Sequence, residues 1–122
     1  MTQNPVRYFE IPVEDLDRAI AFYSAVFGYT FEQADIDGNA MALFPQFESM
    51  PGITGALAKG DSYVPGKQGA RVYFATDSID ETLARAEAVG GRVLYPKTSI
   101  GENGWVAEFE DSEGNCIALS EL

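Results

Sequence analysis

The chain has no histidine, a single cysteine, and eight basic residues against nineteen acidic ones in 122 positions. Each shortage excludes something. Without histidine there is no imidazole to act as a base near neutral pH or as a nitrogen ligand for a transition metal. Cys116 alone cannot form an internal disulfide framework, which suits a reducing cytoplasm, the location expected here. Net charge is −11, split as −6 over residues 1–61 and −5 over 62–122. Nucleic acid is a poor partner for such a surface, whereas a cationic small molecule is tolerated. No apolar run approaches the ~20 residues of a membrane span, and no basic-then-apolar leader is visible, so no membrane partner is expected. With 46% hydrophobic residues the chain escapes disorder, and its length suits one domain over residues 1–122.

What is present is a pattern stated twice. Tyr8 to Phe31, YFEIPVEDLDRAIAFYSAVFGYTF, reads as a strand, a capped helix, a glycine stop and a second strand. RVYFATDSIDETLARAEAVGGRVL, Arg71 to Leu94, repeats it at an offset of 63, with Ile20 falling on Leu83, Val26 on Val89 and Gly28 on Gly91. A repeated supersecondary unit follows. The first module covers about 6–58, a Gly/Pro-containing linker covers 59–69, and the second module covers about 70–122.

Residues 1–5 form a loose start, and the first strand spans Arg7–Val13, with Phe9, Ile11 and Val13 on one face. Pro12 has no N–H to donate, so this strand is expected to end there or to lie at an edge. Asp15 caps a helix whose apolar stripe is Leu16, Ala19, Ile20, Tyr23, Val26 and Phe27, and Gly28 stops it. Strands follow at 30–36 and 39–44, joined by the Asp37-Gly38 hairpin turn, then at 53–58. In the second module strands are expected at 70–76, 92–95, 105–110 and 116–121. Ser78 and Glu81 set a capping box for a helix at 79–89. Asp37-Gly38 and Glu113-Gly114 read as turn chemistry and nothing more. Each copy is therefore βαβββ, an α+β arrangement with a helix on one face of each curved mixed sheet and the other faces left to form a groove.

FEIPVEDLDRAIAFYSAVFGYTF, the central VYFATDSIDETLARAEAVGG and the closing GWVAEFEDSEGNCIAL together resemble the vicinal oxygen chelate superfamily of glyoxalase I, bleomycin-resistance proteins and extradiol dioxygenases. In the closing hairpin Ser112 stands where the family usually has proline. The resemblance implies the glyoxalase/bleomycin resistance/dioxygenase fold and a homodimer, often with modules of both chains forming each cleft. Metal-using members carry one ligand on the first and fourth strand of each module, typically histidine or glutamate. The matching positions here are Tyr8, Ala56, Arg71 and Ala118. Alanine has no donor atom, and an arginine repels a divalent ion. No metal site and no cofactor are therefore expected.

By alternation, Tyr8, Glu10, Ala56, Arg71, Tyr73, Cys116 and Ala118 face the groove and are the expected ligand-binding residues, with Trp105 at its mouth or in a dimer contact. Arg71 either orients an anionic or carbonyl group of a ligand or pairs with Glu10 or Glu108. Tyr8 and Tyr73 either touch a ligand or cap the core. Cys116 is a nucleophile only with an activating neighbour and is otherwise a small core residue. Two functional readings stay open, beside a third in which the domain mainly dimerises and serves as a subunit. The groove binds a small organic molecule without metal, as bleomycin-resistance relatives do. Alternatively the chain is a metal-free enzyme of lyase or isomerase type, with Tyr8, Glu10, Arg71 and Glu108 as catalytic candidates.

Overall fold

The structure, a computed structural model, describes residues 3–122. Met1 and Thr2, part of the expected loose start, lie outside them. The first module runs β1 (Phe9–Pro12), α1 (Leu16–Phe27), β2 (Glu32–Ile36), β3 (Asn39–Leu43) and β4 (Gly55–Lys59). The second runs β5 (Tyr73–Ala75), α2 (Ile79–Ala88), β6 (Arg92–Ser99), a short 3-10 turn at Gly101–Asn103, β7 (Trp105–Glu110) and β8 (Cys116–Glu121). The strand orders are β1-β4-β3-β2 and β5-β8-β7-β6. In each sheet the first and last strands pair in parallel and the other pairs are antiparallel. The repeat seen in the sequence is thus a repeat of topology.

Local chemistry explains the boundaries. Asp15 caps α1 by accepting from Arg18 N at 3.0 Å, and Ser78 caps α2 by accepting from Glu81 N at 3.1 Å. The return half of the expected capping box is not made. Ser78 N donates to Thr76 Oγ1 instead, and the free Ile79 N–H is taken by Glu121 Oε1 at 2.7 Å. Asp37 and Gly38 both adopt positive φ, 53° and 77°, the type I′ turn that joins β2 to β3. Gly55 sits opposite Phe9 in the β1–β4 pairing, where a Cβ would lie 2.0 Å from the Phe9 carbonyl oxygen. Only glycine fits there.

Several elements are shorter than expected: β1 is Phe9–Pro12 rather than 7–13, β2 starts at Glu32 rather than 30, β3 ends at Leu43 rather than 44, β4 starts at Gly55 rather than 53, and α2 ends at Ala88 rather than 89. Three further differences have a clear local cause or consequence. Lys59 belongs to β4 rather than to the linker, because it pairs with Ala40. Regular β5 is only Tyr73–Ala75, although Val72 O still accepts from Ala118 N at 3.1 Å. Strand β6 continues through Pro96 to Ser99. It is an edge strand with register shifts between residues 93 and 98, so the missing proline N–H leaves no ladder bond unmade. Pro12 likewise lies on an edge strand, as expected.

The helix-covered faces of the two sheets share one core. Phe74 of β5 stacks on Phe27 of α1 at 4.8 Å and meets Phe44 at 5.6 Å and Phe9 at 5.9 Å. Phe22, outside the stripe read from the sequence, is buried against Phe109 of β7 at 6.1 Å. Arg85 of α2 donates to the Val26 carbonyl at the end of α1 at 2.7 Å. Such aromatic pairs add about 0.5–1.5 kcal/mol each beyond their area. They bind the modules to one another and leave the opposite sheet faces without helices. No helix of the described residues is long and apolar enough to cross a membrane.

Candidate functional site

The open face of the first sheet is built on small residues. Pairing aligns Glu10, Ala56, Leu43 and Glu32 in one row across β1, β4, β3 and β2. Ala56 and Ala58 form a small second cluster with buried Met41, against which Leu43 and Tyr63 pack. Tyr63 comes from the segment between the modules and donates to Glu10 Oε1 at 2.7 Å. Tyr8, 44% exposed, donates to Glu10 Oε2 at 3.0 Å and reaches Met41 Sδ at 3.9 Å. The methyl groups of the alanines leave height for a phenol to lie on the sheet, and Tyr63 fills it. Partial burial, reinforced by the Glu10 carboxylate, pushes the Tyr8 phenol up to about 12.

On the second sheet the equivalent row is Tyr73, Ala118, Glu108 and Tyr95. Arg71 pairs with Glu108, which resolves the alternatives for its acidic partner: Glu10 is not it. Cys116 donates to the other oxygen of Glu108 at 3.6 Å. Burial and then the Glu108 charge raise its thiol, opposed by Arg71, so Cys116 is not activated as a thiolate. Lys67 and Arg92 share Glu110, at 3.3 and 2.9 Å. Tyr73 is 54% exposed beside this charged cluster. Trp105 stands apart. It has the strand parity of Ala107 and Phe109, which belong to the core, and carries the Lys97 ammonium 4.9 Å above its ring. Lys97 in turn pairs with Asp80 and Glu121 around the start of α2.

A cavity of about 710 Å³ opens where β1, the start of β8 and residues 64–70 come together. Ile11, Val64, Val72 and Ile117 supply apolar wall, and Glu10, Lys67, Asn115 and Cys116 supply polar groups. The volume lies within the range of small-molecule sites. Glu10 and Cys116 are the expected groove residues that line it, while Tyr8, Ala56, Arg71, Tyr73, Trp105 and Ala118 lie outside its lining. Tyr63 and Lys67, which pair with groove carboxylates, were hidden in a Gly/Pro-containing stretch read as linker. The alternation that found the others does not extend into irregular chain.

The β7–β8 turn is more than a turn. Glu113, its side chain fully enclosed, accepts from Glu14 N and Asp15 N at 2.9 Å each and from both Nε and Nη2 of Arg18. A carboxylate of the second module thereby sits at the N-terminus of the first module's helix. Burial acts to raise its pKa, but the bonds from Arg18, Asp15, Ser112 and Glu14 outweigh that and hold the carboxyl at about 2. Beside it Tyr23 donates to buried Asp111 at 2.6 Å, and Asn115 donates to the Pro12 carbonyl at 2.8 Å while accepting from Gly66 N at 3.0 Å. This network positions one end of the cavity.

At the four positions that the sequence resemblance matches to the family's metal ligands stand Tyr8, Ala56, Arg71 and Ala118. Among the described residues no three Asp, Glu or Cys side chains converge as an ion would need. A phenol held at about 12, a paired guanidinium and two methyl groups do not fit a divalent cation.

Comparison with known proteins agrees with the fold. Residues 6–44 match the family model described as bleomycin resistance protein-like N-terminal. A glyoxylase-like domain-containing protein of Didymella fabae is 34% identical over 115 residues, covering 90% of this chain and 88% of that one. The chain belongs to the vicinal oxygen chelate superfamily. Among solved members, TnmS3, an antibiotic binding protein from Streptomyces sp. CB03234, is 25% identical with a TM-score of 0.71, covering 99% of this chain and 98% of that one. A glyoxylase/bleomycin resistance protein/dioxygenase domain from Frankia sp. EAN1pec is 17% identical with a TM-score of 0.75 and 98% coverage of both chains, a likeness of fold alone. This superfamily chain spans 46% of a maize glyoxalase I chain of the same fold.

Proposed function

We propose that this chain, as a single domain over residues 1–122, binds a small organic molecule in the groove between its modules and does so without a metal centre. The observation that carries the reading is the donor set. Two of the family's ligand positions are alanine, a third is an arginine paired with Glu108, and the fourth is a phenol that stays protonated. The cavity of about 710 Å³, lined by the neighbouring groove residues Glu10 and Cys116, is within the size range of small-molecule sites, and a relative of near-identical length is an antibiotic binding protein. No particular observation favours the enzymatic alternative. Glu108 is held by Arg71, Glu10 accepts hydrogen bonds from two phenol hydroxyls, and Tyr8 is too weak an acid and, protonated, no base at neutral pH. The exposed tyrosines 8, 73 and 95 on the open faces support a homodimer, and the single free thiol suits the cytoplasm.

A thermal-shift screen of a chemically broad small-molecule library tests the reading, since a ligand of the folded state raises apparent stability by RT ln(1 + [L]/Kd). At least one class should raise the melting temperature by several degrees in a dose-dependent way. A screen in which none does so counts against it.

A further inference from the structure

The carboxylates near the groove are not treated alike. Glu108 is paired with Arg71, Glu110 with Lys67 and Arg92, and Glu113 with Arg18. Among the described residues no basic side chain stands within ion-pair distance of Glu10. Its two oxygens accept one phenol hydroxyl hydrogen bond each, from Tyr8 and Tyr63. A carboxylate has about four acceptor positions, so each oxygen keeps capacity for a further donor. Glu10 is half-buried and lines the cavity. A partly desolvated charge with only neutral partners is costly unless a counter-charge arrives.

The cavity's one basic lining residue is Lys67. Its ammonium contacts Glu110 at 3.3 Å, but Arg92 holds the same oxygen at 2.9 Å. Lys67 can therefore turn into the cavity without leaving Glu110 unpaired. The same cavity is also lined by the apolar residues Val64 and Val72, with the edges of the core residues Ile11 and Ile117 behind them. We infer that the cavity takes a dipolar organic molecule, a zwitterion whose ammonium end meets Glu10, whose carboxylate end meets Lys67, and whose apolar body lies between. The inference rests on the small-molecule reading above and narrows it to a ligand class.

Four dansyl compounds of one scaffold separate the contributions by fluorescence titration at low salt: dansylamide (neutral), dansylcadaverine (cation), 6-(dansylamino)hexanoate (anion) and Nα-dansyl-L-lysine (both charges). The zwitterion should bind at least about tenfold more tightly than dansylamide, with the two single-charge compounds between them. Glu10→Gln should weaken dansylcadaverine and dansyl-lysine about tenfold and leave the hexanoate unchanged. Lys67→Gln should do the reverse for the hexanoate and also weaken dansyl-lysine. Melting temperature checks that each variant folds. If Glu10→Gln does not, the wild-type ranking and the exposed Lys67 decide. Equal affinities for all four compounds, or variants that weaken each equally, overturn the dipolar assignment while leaving small-molecule binding intact. No binding of any dansyl compound also overturns it, and the broad thermal-shift screen then decides the wider reading separately.

Discussion

Replacing Glu113 by glutamine tests how the modules are held together. The carboxylate receives two backbone N–H groups at the start of α1, two N–H groups of Arg18 and the Ser112 hydroxyl. A carboxyl held at about 2 instead of its ordinary 4.5 is stabilised by about 3 kcal/mol in the ionised form, at ~1.4 kcal/mol per tenfold. Arg18 is half exposed, and solvent screening reduces the value, so Glu113→Gln should cost about 2–3 kcal/mol at pH 7. The folded-state pKa is depressed, so the contribution is complete above pH 4.5 and fades as pH falls toward 2. The gap between wild type and variant should fall to less than about half its pH 7 value by pH 3 and nearly close at pH 2. Urea unfolding followed by tryptophan fluorescence and circular dichroism at several pH values measures this directly. A variant within about 0.5 kcal/mol of wild type at pH 7, or a gap that does not narrow on acidification, would refute the assigned role.

Other predictions follow from the same geometry. Tyr23→Phe removes the 2.6 Å bond to buried Asp111 and should lower stability by about 2 kcal/mol in urea unfolding, because the carboxylate loses a donor it cannot replace with water. Gly55→Ala drives a methyl group into the Phe9 carbonyl and should cost at least about 2 kcal/mol or abolish soluble expression, with circular dichroism separating the two. Absorbance titration at 295 nm should show a phenol ionising near 12 that disappears in Tyr8→Phe. Because that pKa is raised on folding, its effect on stability is absent below pH 10 and appears as a loss between 10 and 12.

Much of the architecture was legible in the residues. The 63-residue offset, the Asp15 and Ser78 caps and the Asp37-Gly38 turn are local signals, and local signals survive in one dimension. The strand alternation that set Phe9 and Ile11 against Glu10 also survives, because burial on one sheet face forces period two. What was not legible depends on distant pairing. Glu113 looked like a turn residue because its partners Glu14, Asp15 and Arg18 lie about a hundred positions earlier. Tyr63 sits in chain with no periodicity, and only its return onto Ala56 and Glu10 gives it a role. Alanines at 56 and 118 carry no donor atoms, but an absent side chain does not say what fills the volume above it. On the first sheet the answer is a phenol from the segment between the modules.

Elemental analysis by inductively coupled plasma mass spectrometry tests the groove chemistry most directly, on protein purified without chelator after growth with added nickel, zinc, iron and manganese. The account predicts far less than one transition-metal atom per chain. One atom per chain that is lost on mutating Tyr8 or Glu10 would contradict it.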